Sequence, residues 1–267
     1  MSDKNDMAYW YPILQRTGVP TPRTSLLHTD VELSHLLDGN APDGWEGFLD
    51  NLQGLADAIG YPCFLRTGQT SNKHAWKDTC YVESAEVLPR HVGVLVEFSA
   101  MADFMGLTHR TWAVREFLHL ESAFTAFNGF PVNREQRFFI DGGHVCCHHP
   151  YWPPGSIRNP SLPDWESRLV ALNLITPAET AMLCDLSCQV SKYFPDAMSL
   201  DWAKTIDGKW IAIDMALAER SFHWPDCTVG WRRWPELMKE CQPRKPRSDD
   251  DLGSLLVRES EGVTGDV

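Results

Sequence analysis

Two aspartates lie at matched positions on a predicted hairpin. The segment "SLDWAKTIDGKWIAIDMALAE" turns at Asp207-Gly208, and Asp201 and Asp214 each lie six residues from that turn. Carboxylates that face each other across an antiparallel pair repel unless a cation joins them, and Mg²⁺ is commonly held by such oxygens beside substrate phosphates. The pattern fits a magnesium site, and it fits equally a solvated Asp201 with an Asp214 that caps a following helix.

Three cationic side chains lie in the segment "FLRTGQTSNKHAW", residues 64–76, which begins as an apolar strand and continues as a polar loop. They are Arg66, Lys73 and His74. Loops rich in Gly, Thr, Ser and Asn are common in hairpins, so a solvated turn is one interpretation. The other is a cradle for nucleotide phosphates, because a triphosphate requires backbone N–H donors and a point charge, which Lys73 or Lys77 could supply.

Charged residues also interrupt two apolar strands, at Arg115 in "WAVREFL" and at Glu135 and Arg137 in "EQRFFI". An ion-pair network between neighbouring strands is the simpler explanation. The functional alternative is an arginine that a glutamate orients toward a phosphoryl oxygen.

Residue types that bind metals cluster in "HVCCHHPYW", which contains His144, Cys146, Cys147, His148 and His149. Successive residues of a strand point to opposite faces, so Cys146 and His148 share one face while Cys147 and His149 share the other. No second cysteine pair follows at zinc-ribbon spacing. The pattern therefore favours packing roles over a zinc site.

Composition and charge argue against several classes of protein. The chain has 267 residues and a formal net charge of −12, which argues against a nucleic-acid partner. The first residues lack the basic and apolar regions of a secretory signal, and no stretch reaches the ~18 apolar residues of a membrane span. Eight cysteines without a dense framework are typical of reduced thiols, so a cytoplasmic protein with no membrane partner is expected.

Hydrophobic periodicity predicts an α+β fold with largely antiparallel sheets, because strands and helices occur in runs and several strands form hairpins. Helices are predicted over 44–60, 92–106, 164–175 and 176–194, the last with a capping box of Thr176 and Glu179. Strands are predicted over 61–66, 78–84 and 111–120, with hairpins over 135–149 and 198–217. The expected organisation is a short N-terminal segment (1–60), one domain (61–241) and a disordered tail (242–267).

Taken in order, these segments resemble the ATP-grasp superfamily. The order is "GVPTPRT", a strand ending in a basic residue ("YPCFLR"), a loop over phosphates ("TGQTSNKHAW"), a hinge strand ("WAVREFL"), an E-x-R strand ("EQRFFI") and a carboxylate hairpin ending in "IAIDMA". The chain looks closest to the phage and bacterial arginine-to-lysine clade, and it is similar to the eukaryotic cell-division-cycle assembly protein of a translation initiation factor. The resemblance covers residues 18–225 and implies two α+β lobes that clamp ATP.

The resemblance also implies roles for individual residues. Arg66 would contact the α- and β-phosphates, and Lys73 would lie in the loop over the phosphates and act in catalysis. Arg137, supported by Glu135, would contact phosphate and act with Lys73. The hinge residues that would line the adenine, ribose and phosphate positions are Arg115, Glu116, Phe117 and Leu118.

The same resemblance places Mg²⁺ on Asp201 and Asp214. Many members of the superfamily have an asparagine two residues after the last carboxylate, where this chain has Ala216. That difference leaves the number of metal ions open, and Glu219 could substitute as a ligand.

Two functions from different classes follow from the resemblance. In an ATP-dependent ligase, ATP would phosphorylate a carboxylate of an unidentified small or protein substrate, and an amine would then displace phosphate. Such chemistry depends on positioning and on charge neutralisation by Mg²⁺, Arg and Lys, and it requires no covalent nucleophile. The alternative is a nucleotide-dependent assembly or binding factor, which Ala216 favours because weakened metal geometry harms catalysis more than binding.

Overall fold

Ten strands form three antiparallel sheets in the computed structural model, which describes residues 3–102, 107–224 and 227. The strands are β1 Thr24–His28, β2 Cys63–Thr67, β3 Tyr81–Val82, β4 Thr111–Glu116, β5 Ser122–Ala126, β6 Phe130–Asn133, β7 Glu135–Asp141, β8 His144–Pro150, β9 Met198–Lys204 and β10 Trp210–Leu217. The sheet orders are β1-β4-β2-β3, β10-β9-β7-β8 and β5-β6. The α+β prediction is therefore confirmed, and so are the hairpins over 135–149 and 198–217.

Five α-helices pack on these sheets within the described ranges. They are α1 Met7–Arg16, α2 Trp45–Ile59, α3 Leu88–Met101, α4 Trp165–Asn173 and α5 Pro177–Ser191. No single helix in those ranges is long and apolar enough to span a membrane, although α4 and α5 together, with a 61° bend between them, pass the same test of length and composition.

The first four-stranded sheet has one apolar face and one polar face. Leu65, Trp112 and Val114 point to the side where α2 and α3 pack, and all three are fully buried in that core. Because side chains alternate along a strand, Arg66 and Arg115 point to the opposite face. The strand pairing sets Arg66 beside Ala113 and Phe64 beside Arg115, so the sheet places both arginines on one surface.

The second four-stranded sheet repeats this division. Phe138, Leu200 and Trp202 are fully buried in a core that also contains residues of α1 and α5. The alternate residues Arg137 and Asp201 are directly paired across β7 and β9 and point away from that core.

Helix α1 connects the loop after β2 to the body of the fold. The Asp6 side chain caps the helix by accepting a hydrogen bond from the Ala8 N–H at 2.8 Å, and the Met7 N–H donates to the Gly68 carbonyl at 2.8 Å. A Cβ added at Gly68 would lie 2.3 Å from an Asp6 carboxylate oxygen. Only glycine permits this close approach, which fixes one end of the polar loop.

Several element boundaries differ from the sequence-based predictions. The helix predicted over 92–106 begins earlier, at Leu88, and ends at Met101, while residues 103–106 lie outside the described ranges. The strand predicted over 78–84 is only Tyr81–Val82, and the strand predicted over 111–120 ends at Glu116. The predicted tail, 242–267, also lies outside the described residues.

Helix α1 and the β5–β6 hairpin were missed by the pattern analysis. Helix α1 contains Pro12, a residue that usually interrupts helices. The β5–β6 hairpin turns through Phe127 and Asn128, which both have positive φ, and then through Gly129. Residues in this left-handed region are uncommon apart from glycine, so the turn has no standard two-residue signature.

The predicted capping box at the start of α5 is present and reaches further than the helix. Thr176 Oγ1 accepts a hydrogen bond from the Glu179 N–H at 3.2 Å, and the Thr176 N–H donates to Glu179 Oε2 at 2.9 Å. Glu179 Oε1 also accepts hydrogen bonds from Lys204 Nζ at 2.7 Å and Trp210 Nε1 at 3.1 Å. Glu179 therefore ties α5 to the β9–β10 hairpin that carries Asp201 and Asp214.

Replacement of Glu179 by glutamine should destabilise the protein at neutral pH but not in strong acid. Partial burial tends to raise the pKa of Glu179, but hydrogen bonds from Lys204 and Thr176 outweigh that effect and hold the pKa at about 2. A lowered carboxyl pKa stabilises the fold above the unfolded pKa, and this contribution is lost as pH falls toward 2. After discounting for solvent screening, we expect a loss on the order of 1–2 kcal/mol at pH 7 in urea unfolding.

Glu166→Gln, which alters an exposed glutamate in the first turn of α4, is the matched control and should change the free energy of unfolding little. A Glu179→Gln penalty that is the same at pH 7 and pH 3 would contradict the ionic explanation.

Candidate functional site

A cleft of about 310 Å³ is lined by residues from both four-stranded sheets and from the loop after β2. Eight of the eleven predicted site residues line it: Arg66, Lys73, Arg115, Glu116, Phe117, Leu118, Glu135 and Asp214. The other three, Arg137, Asp201 and Glu219, are not among the lining residues. The structure thus brings together residues that are far apart in the sequence. They form a cleft with one polar end and one apolar end.

Two buried arginines form the cationic end of the cleft. Arg66 donates from Nη1 to Asp214 Oδ1 at 2.8 Å and from Nε to the Thr67 carbonyl at 3.1 Å. Arg115 donates from Nη1 to the Ile213 carbonyl at 2.7 Å and from Nε to Thr24 Oγ1 at 3.2 Å. Each arginine is 5% exposed, so each requires compensation for the loss of water.

The Nη2 atom of Arg115 is buried and has no hydrogen-bond partner among the described residues. Burial, and then the neighbouring Arg66 charge, lower the pKa of Arg115 to about 10, so the guanidinium still carries its charge at neutral pH. An unpaired, charged donor in a cleft is a good match for an anionic oxygen such as that of a phosphate.

Lys73 approaches the same end from the loop, at the start of a 3₁₀ turn over Lys73–Asp78. Its Nζ lies 3.9 Å from the ring centroid of Tyr151, 4.6 Å from that of Trp152 and 3.7 Å from Glu135 Oε2. The Thr79 hydroxyl holds the turn by donating to the Asn72 carbonyl at 3.0 Å. The loop is therefore a folded turn in which the Lys73 side chain points inward, so it is not a plain solvated turn.

Lys73 and Glu135 form a buried ion pair. The effect of burial on the pKa is fully outweighed for Lys73 but only partly offset for Glu135. Burial tends to lower the pKa of Lys73, but the Glu135 charge and the Tyr151 hydroxyl outweigh it and raise that pKa above its ordinary value. Burial raises the pKa of Glu135, and Lys73 only partly offsets this effect. Glu135 Oε2 makes no hydrogen bond within the described part of the chain, although Oε1 accepts one from Trp152 Nε1 at 3.3 Å.

The two aspartates of the β9–β10 hairpin are directly opposite, as predicted, with Asp214 paired to Asp201 just after a bulge in β10. Their charges are nevertheless balanced separately. Asp201 accepts two hydrogen bonds of 2.7 Å from Arg137 Nε and Nη2, while Asp214 pairs with Arg66. The expectation that only a cation reconciles these carboxylates is therefore wrong, because the fold supplies an arginine to each.

The predicted metal ligands differ in their position relative to the cleft. Both carboxylate oxygens of Asp201 accept hydrogen bonds from Arg137, and Asp201 is not among the cleft-lining residues. Glu219 is exposed in the 3₁₀ turn Ala218–Arg220 and is not among the lining residues. Asp214 is the one predicted metal ligand that faces the cleft. Burial tends to raise its pKa, but the Arg66 and Arg115 charges outweigh that effect and lower it.

The other end of the cleft is apolar and follows the hinge after β4. Phe117 packs against Tyr81 with ring centroids 4.9 Å apart. Glu116 accepts hydrogen bonds from the Arg23 N–H at 2.8 Å and from Arg23 Nε at 3.1 Å, so the "GVPTPRT" segment fixes the hinge. Apolar lining residues that the sequence analysis did not identify are Pro22, Phe64, Trp76, Leu120, Phe130, Pro131, Ile206 and Ile213.

A signal for some of these missed residues was present. Ile206 lies in the β9–β10 turn with 73% of its surface exposed, and an exposed isoleucine in a Thr-Ile-Asp-Gly turn marks a surface that a ligand or partner could cover. Phe64 and Ile213 lie on strands whose patterns simply indicate burial, so only the structure identifies them as cleft residues.

Comparison with known proteins identifies the family. Residues 54–237 match the sequence model of the family described as ATP-grasp domain, R-2-K clade family 3. No curated protein sequence matches the chain.

Similar solved structures have low sequence identity. One is the Hydrogenobacter thermophilus 2-oxoglutarate carboxylase biotin carboxylase domain with MgADP, ADP and bicarbonate (15% identity, TM-score 0.48, 80% of this chain and 40% of that chain). A second is N5-carboxyaminoimidazole synthase from Aspergillus clavatus with ADP and 5-aminoimidazole ribonucleotide (12%, 0.45, 80% and 44%). A third is a RimK domain ATP-grasp protein from Sphaerobacter thermophilus (13%, 0.43, 87% and 61%).

The chain spans less than two thirds of the length of each of these three structures. The family match, in contrast, covers well over half of the 267 residues and includes every cleft-lining residue named above except Pro22. The chain therefore belongs to the ATP-grasp domains of R-2-K clade family 3.

Proposed function

We propose that this chain binds ATP with Mg²⁺ in the cleft and uses it to join a carboxylate to an amine. The observation that supports this most strongly is the buried Nη2 of Arg115, which has no hydrogen-bond partner in the described part of the chain and lies at the cationic end of a cleft whose other end is apolar. A nucleotide combines a flat apolar base with an anionic tail, and this division of the cleft fits both parts.

The cations divide the work of holding the phosphates. Arg66 and Arg115 are fixed by hydrogen bonds to the backbone and to neighbouring side chains, so their positions are set before a ligand enters. Lys73 is a point charge held against aromatic rings, and it could exchange its contact with Glu135 for a phosphate oxygen. Preorganised charges of this kind stabilise the charge that develops during phosphoryl transfer.

Asp214 is the residue that fits Mg²⁺ best. The hydrogen bonds that it accepts from Arg66 Nη1 and from the Met215 N–H both go to Oδ1, which leaves Oδ2 to act as an oxygen ligand. Mg²⁺ is usually held by one or two carboxylates together with substrate phosphates, and it would supply further neutralisation of phosphate charge. Arg137 and Asp201 would support Asp214 from the neighbouring strand.

A nucleotide-dependent assembly or binding factor is the second candidate, and two observations favour it. Ala216 occupies the position of a common metal-binding asparagine, and Asp201 is committed to Arg137. Both reduce the ligands available for metal-assisted chemistry but leave the nucleotide cleft intact. The resemblance to the eukaryotic assembly protein supports the same alternative.

Isothermal titration of the full chain with ATP tests the shared part of both candidates. We expect heat of binding with ATP and Mg²⁺ and a weaker Kd when the metal is chelated. The absence of binding heat with ATP and Mg²⁺ would refute the nucleotide proposal.

Release of ADP and phosphate from ATP then separates the two candidates. Panels of carboxylates and amines would be added singly and in pairs. Turnover that requires both a carboxylate and an amine supports the ligase, whereas binding without any stimulated turnover supports the assembly factor.

Replacement of Phe117 by alanine should weaken ATP and ADP binding to a similar extent. Loss of an apolar side chain from a base-binding wall costs about 1.5–3 kcal/mol, or roughly tenfold or more in Kd. Inorganic tripolyphosphate lacks the base, so its affinity should not change. Tyr193→Ala, at a residue that is 48% exposed and outside the cleft lining, is the control. Equal losses for ATP and tripolyphosphate would show that Phe117 does not contact the base.

A further inference from the structure

Three metal-ligating side chains meet on the surface of β8, outside the cleft. Cys147 lies on β8, and His223 and Cys227 lie in the segment that follows β10. One ligand atom from each lies within 4.8 Å of the others, and Cys147 Sγ is 3.0 Å from His223 Nε2. Cys147 is about eighty positions from His223 and Cys227 in the sequence, so the fold itself brings the three side chains together.

The types of ligand atom in this cluster indicate which metal it would bind. Two thiols and one imidazole are soft to intermediate ligands, which favour Zn²⁺ over the oxygen-binding Mg²⁺ or Ca²⁺. Around a tetrahedral Zn²⁺, with Zn–S of about 2.3 Å and Zn–N of about 2.0–2.1 Å, ligand atoms lie roughly 3.5–3.8 Å apart. The Cys147 and His223 atoms lie 3.0 Å apart and all three ligand atoms lie within 4.8 Å of one another, so the observed separations bracket those of a tetrahedral site.

The surroundings hold the cluster in place. The Trp224 ring stacks on the His149 ring with centroids 5.4 Å apart, and the backbone N–H of Trp224 donates to His149 Nε2 at 3.4 Å. The His223 ring packs edge-on against Phe139 at 4.7 Å. Cys147 is almost fully buried, whereas His223 and Cys227 are half-buried.

We propose that Cys147, His223 and Cys227 bind one zinc ion, with water in the fourth position. Binding would release the two thiol protons and fasten the segment after β10 to β8. The alternation of side chains along the strand argued against a zinc site formed by "HVCCHHPYW" alone. Cys146 and His148, which lie on the other face of the strand from Cys147, are not part of the cluster. The site instead combines one residue of that motif with two from a distant segment.

The zinc site would also position Arg137. The Phe222 carbonyl, next to His223, accepts a hydrogen bond from Arg137 Nη1 at 3.3 Å, and Arg137 in turn holds Asp201. If zinc fixes His223, it also fixes the neighbouring Phe222 carbonyl and hence the hydrogen bond from Arg137 Nη1. This is a positioning role, separate from any contact with nucleotide.

Elemental analysis of the full chain tests the proposal. The protein would be purified under reducing conditions with a removable tag that contains no histidine, and its zinc content would be measured after dialysis against a weak chelator. We expect about one zinc ion per chain. Replacement by Co²⁺ should give thiolate-to-cobalt charge-transfer bands and the strong visible bands of a tetrahedral site.

Cys227→Ser and His223→Gln should each weaken zinc binding by at least about 100-fold, more than the loss of an outer-shell partner costs. Cys147→Ser is a third test, and because Cys147 is buried the two half-buried variants keep the proposal testable if that protein does not fold. Cys184→Ser, at a half-buried cysteine of α5 outside the cluster, should keep its zinc.

Three results would overturn the proposal. They are a reduced wild-type protein that takes up neither Zn²⁺ nor Co²⁺, full metal retention in both half-buried variants, and a Cys147–Cys227 disulfide in place of the metal. ATP binding does not enter any of these measurements, so the outcome is independent of the proposed function.

Discussion

Replacement of Asp214 by asparagine should abolish the Mg²⁺-dependent part of ATP binding and should also lower the stability of the free protein. The first effect is expected because Asp214 Oδ2 is the carboxylate oxygen proposed to bind Mg²⁺. The second is expected because Arg66 Nη1 donates to Asp214 Oδ1 at 2.8 Å, and the variant leaves a buried guanidinium without its anion. The Asp214 side chain is 41% exposed, so we discount for screening and expect a loss of roughly 1 kcal/mol.

The stability difference between the wild type and Asp214→Asn should depend on pH in a defined direction. Arg66 and Arg115 outweigh burial and lower the pKa of Asp214. A lowered carboxyl pKa gives stabilisation that is present above the unfolded pKa and is lost as pH falls through the folded pKa. The two proteins should therefore differ at neutral pH and converge in acid.

Thermal melts of both proteins with and without ATP and Mg²⁺ measure these effects together. Asp207→Asn, in the exposed turn of the same hairpin, is the matched control and should keep the full ligand-induced shift. An Asp214→Asn protein that melts lower alone but gains the full Mg²⁺-dependent shift would remove Asp214 from the site.

Replacement of Lys73 by methionine should weaken ATP binding by at least about tenfold, because a charge-assisted contact contributes about 1.5–3 kcal/mol. Methionine retains much of the apolar stem that packs against Tyr151 and Trp152, so the 3₁₀ turn should persist. Titration calorimetry with ATP and Mg²⁺ measures the change in Kd.

The same variant should also make the stability of the protein depend on the protonation of the buried Glu135. Without the Lys73 charge, the pKa of Glu135 should rise further above its ordinary value. A raised carboxyl pKa destabilises the fold as pH rises through the unfolded carboxyl pKa toward the folded one. The stability penalty of Lys73→Met should therefore be smallest in acid and largest at neutral pH.

Lys77→Met, at an exposed lysine of the same turn, is the control and should alter neither ATP affinity nor the pH dependence of stability. Equal affinities for the Lys73 and Lys77 variants would show that the loop contributes no specific cation to nucleotide binding.

Local pattern was sufficient to predict the elements that build the site. The pairing of Asp201 with Asp214, predicted from the turn at Asp207-Gly208, is observed, but a bulge between Ala212 and Asp214 produces it, because the register next to the turn would set Asp201 opposite Ile213. The Thr176 and Glu179 capping box was likewise visible because its partners lie three residues apart.

Long-range pairing was beyond local pattern. Arg66 and Asp214 are 148 positions apart, and nothing in either segment indicates that one arginine belongs to that aspartate. The same holds for Lys73, whose aromatic contacts Tyr151 and Trp152 come from the loop directly after β8. Because these pairings set the charges of the site, the sequence could predict which residues gather but not how they neutralise one another.

The central claim is that the cleft holds ATP with its phosphates at the cationic end, and a crystal structure of the full chain with a non-hydrolysable ATP analogue and Mg²⁺ tests it most directly. We expect adenine beside Phe117, phosphate oxygens within hydrogen-bonding distance of Arg66, Lys73 and Arg115 Nη2, and a metal ion on an Asp214 oxygen. An analogue bound elsewhere, or one whose phosphates leave Arg115 Nη2 without a partner, would contradict this claim.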